Sequence, residues 1–210
     1  MTTDNGKSIK IETVEYNAAG QVQKLSGNDN GYRIYEYNAT GNLSGLHAYY
    51  KLYGEDDVTY QTYSTFDYNT NGQLIKSSEF NILKGNTLSG YSIYSYPSTN
   101  SVYQKYFEMN NGIPVAHSEI AYEFDDKKAI NSLIGVLRVG HLQYDALSSN
   151  VGYLTNDALL SEHNLLSCII TMIGHPNNPT IKYAYTFNPS GYPTKRLKNG
   201  SSEETALVSL

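Results

Sequence analysis

A seven-residue motif recurs along the chain and constrains its fold more than any other feature of the sequence. It consists of an aromatic residue, Asn, two variable residues, Gly, a polar residue and an apolar residue, at residues 16–22, 37–43, 68–74 and 187–193. An Asn side chain can cap its own backbone two residues on, and Gly adopts a positive φ without steric cost. Each copy therefore predicts a β-hairpin that closes in a type I turn with a G1 bulge. The glycines expected to have a positive φ are Gly20, Gly41, Gly72 and Gly191.

Two further segments follow the rhythm of the motif with altered residues. Residues 96–102 carry Asn100 where the motif has Gly, and residues 124–130 begin with Phe124 but contain no Gly. We expect a chain reversal at both segments, because their spacing continues that of the full copies.

The stretches between the turns have the pattern of β-strands. Residues 32–37 and 60–68 alternate with period two, and Tyr, a residue that favours strands, supplies 21 of the 210 residues. Counting strands between turns gives about 13 to 15, each antiparallel to its neighbours in sequence. The sequence therefore predicts an all-β meander of antiparallel hairpins, in one domain over residues 1–210, that forms an open or closed barrel-like sheet.

Residues 126–164 lack hairpin turns and are too many for an ordinary connection between strands. Apolar residues at helical spacing predict a short helix between Ala129 and Leu137, and a second helix over residues 155–160 with Thr155 as its N-cap. We expect a short helical or irregular insertion here, which either closes one end of the sheet or carries a function.

The aromatic-x-aromatic-Asn-x-x-Gly-x-Leu units resemble the tyrosine-aspartate repeats, or RHS-type repeats, of secreted bacterial proteins, with Asn in place of the usual Asp. Residues 122–128, 161–164 and 188–195 are similar to segments of a family of Bacteroides-type lipoproteins of unknown function with a porin-like β fold. The resemblance implies export to the cell envelope, periplasmic or surface-exposed, and a lipid anchor upstream of residue 1. It implies no catalytic or binding residues, because the family has none assigned.

Charge and hydropathy argue against several classes of partner. The formal net charge is -5, and no basic cluster is longer than the pairs Lys127-Lys128 and Lys195-Arg196, so we expect no nucleic-acid partner. Residues 165–170 form the most apolar stretch, far short of the roughly 18 residues that a membrane-spanning helix needs. The one cysteine, Cys168, lies in that stretch and is expected to be buried and unreactive. Residues 1–6 have neither the basic nor the apolar region of an export signal.

Motifs for metal binding and catalysis are missing from the sequence. Gly6-Lys7-Ser8 lacks the leading Gly of a phosphate-binding loop, and no Gly-x-Ser-x-Gly nucleophile elbow is present. The acidic groups at residues 28–31, 55–57 and 125–126 complete no calcium loop and are interpreted as turn residues. We therefore predict no catalytic, cofactor-binding or metal-binding residues and no cofactor. The histidines stand far apart in sequence, at His47, His117, His141, His163 and His175.

The tyrosines are the remaining candidates for a functional role. Eight tyrosines are expected to form rows across neighbouring strands, which either stack on sugar rings or on a partner, or only stabilise the sheet as cross-strand pairs. The absence of Trp weakens the case for sugar binding. The leading hypothesis is a non-catalytic binding or scaffold module of the cell envelope or secreted space, with a glycan or another envelope protein as its partner. The alternatives are a carbohydrate- or peptide-binding protein that uses a Tyr-rich sheet face, and an unrecognised hydrolase. The eight tyrosines are Tyr49, Tyr50, Tyr60, Tyr63, Tyr91, Tyr94, Tyr103 and Tyr106.

Overall fold

The computed structural model describes residues 3–4, 7–8, 12–27, 31–51, 57–128, 163–175, 178–198 and 204–206. Every regular element within these ranges is a β-strand. Both predicted helices, between residues 129 and 137 and over residues 155–160, lie outside the described residues. Of the predicted insertion, residues 126–128 and 163–164 are strand instead, because they continue the pairing of the two strands that flank it. Among the described residues, no helix has the length and apolar content of a membrane span.

The strands follow one another along the chain, and 34 residues separate β11 from β12. They are β1 (Thr3–Asp4), β2 (Lys7–Ser8), β3 (Glu12–Tyr16), β4 (Val22–Gly27), β5 (Tyr32–Tyr37), β6 (Leu43–Lys51), β7 (Val58–Tyr68), β8 (Leu74–Asn81), β9 (Thr87–Ser98), β10 (Ser101–Asn110), β11 (Ile113–Lys128), β12 (His163–Met172), β13 (Thr180–Phe187), β14 (Pro193–Lys198) and β15 (Glu204–Ala206).

The sheet topology is a meander. Strands β3 to β15 form a 13-stranded sheet in which each strand neighbours the strands before and after it in sequence, while β1 and β2 pair separately. The pairings are antiparallel, as in β5 with β6 and β11 with β12. Because β3 and β15 end the order and do not neighbour each other, the sheet is open. The predicted all-β meander is confirmed, in its open form.

The chain divides into two compact units, Met1–Tyr91 and Ser92–Leu210. In the first unit, buried apolar side chains lie where the repeated motif ends, at Val22, Leu43 and Leu74. The second unit has a continuous core drawn from β11, β12 and β13. Its buried members are Ile120, Tyr122, Phe124, Leu165, Cys168, Ile170 and Ile181.

Three polar side chains in the second unit, Ser92, Gln104 and Tyr122, bond to one another in its interior. Gln104, only 3% exposed, donates from Nε2 to the Ser92 hydroxyl at 2.8 Å and accepts from the Tyr122 hydroxyl at 2.6 Å. Cys168 is buried as expected, and burial raises the pKa of its thiol to about 11, so the thiol stays protonated near neutral pH. These groups therefore serve the packing of the core.

The motif forms the predicted turn. In the first copy, Asn17 Oδ1 accepts from the backbone N–H of Ala19 at 3.0 Å and of Gln21 at 2.9 Å, and Gly20 donates its N–H to the Asn17 carbonyl at 2.9 Å. The register shifts between Glu15 and Tyr16, as a bulge requires. The four glycines have φ values of 76°, 81°, 75° and 82°, so the predicted positive φ is confirmed at Gly20, Gly41, Gly72 and Gly191.

The two altered copies differ in outcome. Residues 96–102 reverse the chain between β9 and β10, as expected. The reversal expected within residues 124–130 is wrong for the described part, because β11 continues as a strand to Lys128. Asp125 replaces the motif's Asn here, and its Oδ1 accepts from the backbone N–H of both Lys127 and Asn164 at 3.0 Å. The bond to Asn164 connects this segment to β12. The pairing of β11 with β12 therefore continues through bulges, and no turn forms within residues 124–128.

Phenol hydroxyls tie each copy of the motif in the first unit to the copy before it. The Tyr37 hydroxyl donates to the Val22 carbonyl at 2.7 Å, and the Tyr68 hydroxyl donates to the Leu43 carbonyl at 2.9 Å. Val22 and Leu43 are the last residues of the preceding copies and are 1% and 2% exposed. The first and last residues of the motif therefore connect successive hairpins, in addition to forming the turn.

Replacing Gly72 by Val should lower the free energy of unfolding by about 1–2 kcal/mol, because a β-branched residue resists the left-handed backbone. Nothing lies within 4 Å of a Cβ built at Gly72, so the cost comes from the backbone and not from a clash. Urea denaturation measures it. The matched variant Gly72→Asn should lose clearly less, since Asn tolerates this conformation. Equal losses in the two variants would contradict the assignment.

Stability should fall as the pH rises from about 10 to about 12, partly through Tyr37. Burial raises the pKa of Tyr37 from 10.0 to about 12, so the folded chain keeps this proton at a pH where the unfolded chain has lost it. Its stabilising contribution is complete below pH 10 and is lost as the pH passes the folded pKa. Urea denaturation across this range should show a shallower decline for Tyr37→Phe than for the native chain. An identical decline would show that Tyr37 is not responsible.

Candidate functional site

The first unit carries a continuous row of rings across β5, β6 and β7, which we call the aromatic ladder: Tyr32, Tyr49, Tyr60, His47 and Tyr63. Its rings stack nearly parallel, with centroid distances of 4.3 Å for Tyr32 and Tyr49, 4.8 Å for Tyr49 and Tyr60, and 4.6 Å for His47 and Tyr63. The pairs stand directly opposite each other in the register of the sheet. The centroid distances therefore resemble the spacing of neighbouring strands.

The broad faces of the ladder rings are turned towards other side chains. Tyr49 stacks between Tyr32 and Tyr60, and His47 stacks on Tyr63. Lys24 Nζ lies 5.1 Å from the Tyr32 ring centroid, and the Phe80 ring lies 6.1 Å from that of Tyr63. A ligand that stacks on an aromatic ring needs a free face. The faces that stack between strands are therefore closed to such a ligand, which could still reach ring edges and phenol hydroxyls.

A carboxylate, an imidazole and a phenol are joined in series along the ladder, and we call this series the relay. Glu36 Oε1 lies 3.0 Å from His47 Nε2, and His47 Nδ1 lies 2.6 Å from the Tyr60 hydroxyl. Because a carboxylate can only accept, Nε2 carries the hydrogen of the neutral ring. Nδ1 then accepts the hydrogen of Tyr60. The relay is half-open to solvent, with the His47 side chain 22% exposed and that of Glu36 52% exposed.

Gly45 leaves room for the relay. It stands opposite Glu36 in the register, and a Cβ built on it would lie 2.5 Å from Glu36 Oε2 and 3.2 Å from the Tyr63 ring. Any larger residue would displace the Glu36 carboxylate, which is the flexible partner, and press on Tyr63. The position of the carboxylate beside His47 therefore depends on a missing side chain on the neighbouring strand.

Burial disfavours the ionised form of two ladder phenols, Tyr60 and Tyr63. The pKa values of Tyr60 and Tyr63 are raised, first by burial and then by the negative charges of neighbouring groups, which include Glu36 for both residues. A neutral phenol both donates and accepts hydrogen bonds, whereas a phenolate only accepts. The exposed edge of the ladder is therefore a set of neutral hydroxyls beside one carboxylate.

Of the tyrosines expected in rows, Tyr49, Tyr60 and Tyr63 belong to the ladder and the others do not. Tyr50 points to the opposite face, where its hydroxyl accepts from Arg33 Nε at 3.2 Å. The remaining four have separate surroundings. Tyr91 lies under Lys76, Tyr94 is 6% exposed, Tyr103 bonds to Glu119, and Tyr106 meets the His117 ring edge-on.

Sequence reasoning missed Tyr32, His47 and Glu36 as parts of the site. The sequence does contain information on Tyr32 and Glu36, because the motif at residues 37–43 fixes the register of β5 against β6. That register places Tyr32 opposite Tyr49 and Glu36 opposite Gly45. The pairing of β6 with β7 carried no such signal, since a bulge between Ala48 and Tyr49 brings Tyr60 opposite Tyr49.

The other groups considered for chemistry do not join the ladder. In the part of the chain that the structure describes, no three His, Cys, Asp or Glu side chains are placed to hold a metal ion. His163 Nδ1 lies 3.1 Å from the Lys127 carbonyl oxygen, and Lys7 and Ser8 form a short strand where a phosphate loop would need a helix start. Among the acidic turn groups and histidines, His141 and residues 28–30 and 55–56 lie outside the described residues.

The fold resembles that of solved proteins from Bacteroides. A porin-like protein from Bacteroides uniformis ATCC 8492 matches with a TM-score of 0.51 at 16% identity, over 97% of this chain and 79% of that chain. A porin-like protein from Bacteroides vulgatus ATCC 8482 matches with a TM-score of 0.50 at 12% identity, over 90% and 80%. The likeness is one of fold. No family model and no curated protein matches the chain.

The stacking of Tyr32 on Tyr49 should be measurable as a coupling energy. A double-mutant cycle with Tyr32→Leu and Tyr49→Leu, read by urea denaturation, should give about 0.5–1.5 kcal/mol, the usual range for aromatic pairs. The control cycle pairs Tyr32→Leu with Tyr50→Leu, because Tyr50 is next to Tyr49 in sequence but points to the other face. Its coupling should be near zero. Equal couplings in both cycles would argue against the ladder.

Proposed function

We propose that this chain is a non-catalytic binding or scaffold module of the cell envelope. The observation that carries the proposal is the use of the ladder's ring faces. Tyr49 stacks between Tyr32 and Tyr60, His47 stacks on Tyr63, and Lys24 and Phe80 lie beside the outer rings, so these ring faces are used for cross-strand contacts that stabilise the sheet. A wide sheet held in this way is suited to presenting edges and loops to a partner.

The envelope location is supported by the fold and by the repeated turns. The two Bacteroides matches are described as porin-like, and porins are outer-membrane β-barrels of bacteria. The repeated turns, which resemble tyrosine-aspartate repeats of secreted proteins, support the same location, and a lipid anchor upstream of residue 1 is part of the proposal. Fractionation of the native cells, with an antibody against this chain, tests it. Recovery in the cytoplasm would contradict it.

Ligand binding at the ladder edge is the second candidate. The Tyr60 and Tyr63 hydroxyls and the half-exposed Glu36 carboxylate lie together at that edge, and such groups can bond to sugar hydroxyls or peptide amides. This mode needs no ring face, so it differs from the stacking that most sugar-binding sites use. It ranks below the scaffold because the Tyr60 hydroxyl and the Glu36 carboxylate are already bonded to His47.

A hydrolase is the third candidate, favoured by the order carboxylate, imidazole, hydroxyl in the relay. That order is also found in catalytic triads, where the imidazole removes the proton of the nucleophile. The pKa of Tyr60 is raised by its surroundings, so its phenol would depend entirely on His47 as the base to become a nucleophile. The relay is therefore less suited to hydrolysis than its geometry suggests.

A panel of soluble polysaccharide fragments should leave the melting temperature unchanged. A ligand at about one hundred times its dissociation constant would add roughly 2.7 kcal/mol of stability. For a chain of this length that is a rise of roughly 5 to 10 °C. Differential scanning fluorimetry detects such a rise. A reproducible rise that Tyr60→Phe abolishes, and that Tyr50→Phe on the opposite face retains, would instead establish the ladder edge as a binding site.

A further inference from the structure

The relay contains a phenol whose proton has a ready acceptor. The Tyr60 hydroxyl lies 2.6 Å from His47 Nδ1, which accepts its hydrogen when the neutral ring carries its own hydrogen on Nε2, and the Glu36 carboxylate lies 3.0 Å from Nε2. A carboxylate in that place fixes the tautomer and orientation of the imidazole, and stabilises the cation that forms when the ring accepts a second proton. This arrangement therefore allows a proton to pass from the Tyr60 hydroxyl to His47 Nδ1.

We propose that Tyr60 is a site of one-electron oxidation by soluble oxidising radicals, at which a tyrosyl radical forms while its proton moves to His47. One electron passes from the Tyr60 ring to the oxidant. The O–H bond of Tyr60 breaks and an N–H bond forms at His47 Nδ1, which leaves a neutral phenoxyl radical and an imidazolium beside Glu36. When a reductant returns the electron, the proton returns to Tyr60. This activity is separate from the binding or scaffold role.

Several other tyrosines bond to groups that are weaker bases than an imidazole. Tyr37 and Tyr68 donate to backbone carbonyls, which do not take up a proton, and the Tyr50 hydroxyl accepts from the Arg33 guanidinium. Tyr103 bonds to Glu119, whose pKa is lowered by the bonds from Lys105 and Tyr103. A carboxylate held in this state is a weaker base than an imidazole. The assignment to Tyr60 follows from its partner and not from its exposure.

The stacked neighbours favour the same site. The Tyr49 ring lies 4.8 Å from the Tyr60 ring at an interplanar angle of 21°, and the His47 ring lies 5.5 Å from it. Electron-rich ring faces stabilise positive charge placed against them. The His47 ring, which holds the positive charge after the transfer, stacks on the Tyr63 ring at 4.6 Å.

The test uses the native chain and photogenerated tris(bipyridine)ruthenium(III) as the oxidant. Freeze-quenched samples should give a tyrosyl radical signal by electron paramagnetic resonance, and trapping with a nitroxide followed by peptide mass spectrometry should place the label on Tyr60. Tyr60→Phe should remove most of the signal. The matched variant Tyr50→Phe, on the opposite face, should retain it. A label on Tyr50 or evenly spread over the tyrosines would overturn the proposal.

The role of His47 is tested by the rate. Oxidation of His47→Gln, which can still accept a hydrogen bond but not a proton, should be slower by roughly 100-fold, the lower end of what a positioned base contributes. The native chain should oxidise more slowly in D₂O than in H₂O, and the variant should lose this difference. Glu36→Gln should slow the reaction less. Circular dichroism confirms the fold of each variant, and a folded His47→Gln that reacts at the native rate would refute the proposal.

Discussion

The pairing of an Asn with a Gly three residues later is the constraint on which the structure depends. The Asn side chain accepts two backbone N–H groups, and the Gly takes a backbone conformation that other residues resist. This fixes where each hairpin ends, and the end of a hairpin fixes which residues stand opposite each other along its whole length. Because Tyr37 and Tyr68 then reach back to the preceding copy, one local turn sets the order of neighbouring hairpins as well.

The aromatic ladder is a consequence of that register. The turn at residues 38–41 places Tyr32 opposite Tyr49, and strand spacing then brings the rings to stacking distance without any further requirement. Stacking covers the ring faces that meet between strands, so the same register that gathers the tyrosines makes those faces inaccessible to a sugar. What is left at the surface is polar: the hydroxyl edge and the Glu36 carboxylate. The high tyrosine content is therefore explained first by the stability of the sheet, and the tyrosines can contribute to ligand recognition through their hydroxyls.

The sequence was sufficient for the architecture and insufficient for the site. The strands, their antiparallel order and the positive φ of Gly20 follow from the motif, because turn chemistry is local. The error at Phe124 shows the limit of that reasoning: Asp125 bonds to Asn164 on the next strand, a contact that no local pattern reveals. The relay lies beyond the same limit, because the bulge between Ala48 and Tyr49 decides that Tyr60 reaches His47. A bulge of one residue between two paired strands depends on packing, and the spacing of residues in the sequence does not reveal it.

Burial of Tyr60 and its proposed oxidation are compatible, because burial disfavours a charged phenolate whereas the oxidation leaves a neutral phenoxyl radical. Burial raises the pKa of Tyr60, since it penalises the phenolate anion that would form if the proton left alone. When an electron and a proton leave together, the phenol becomes a neutral radical, and burial does not penalise a neutral group in this way. The positive charge appears instead on His47, beside the Glu36 carboxylate at 3.0 Å. The environment that opposes acid–base chemistry at this phenol therefore does not oppose its oxidation, and it is the imidazole that makes the difference.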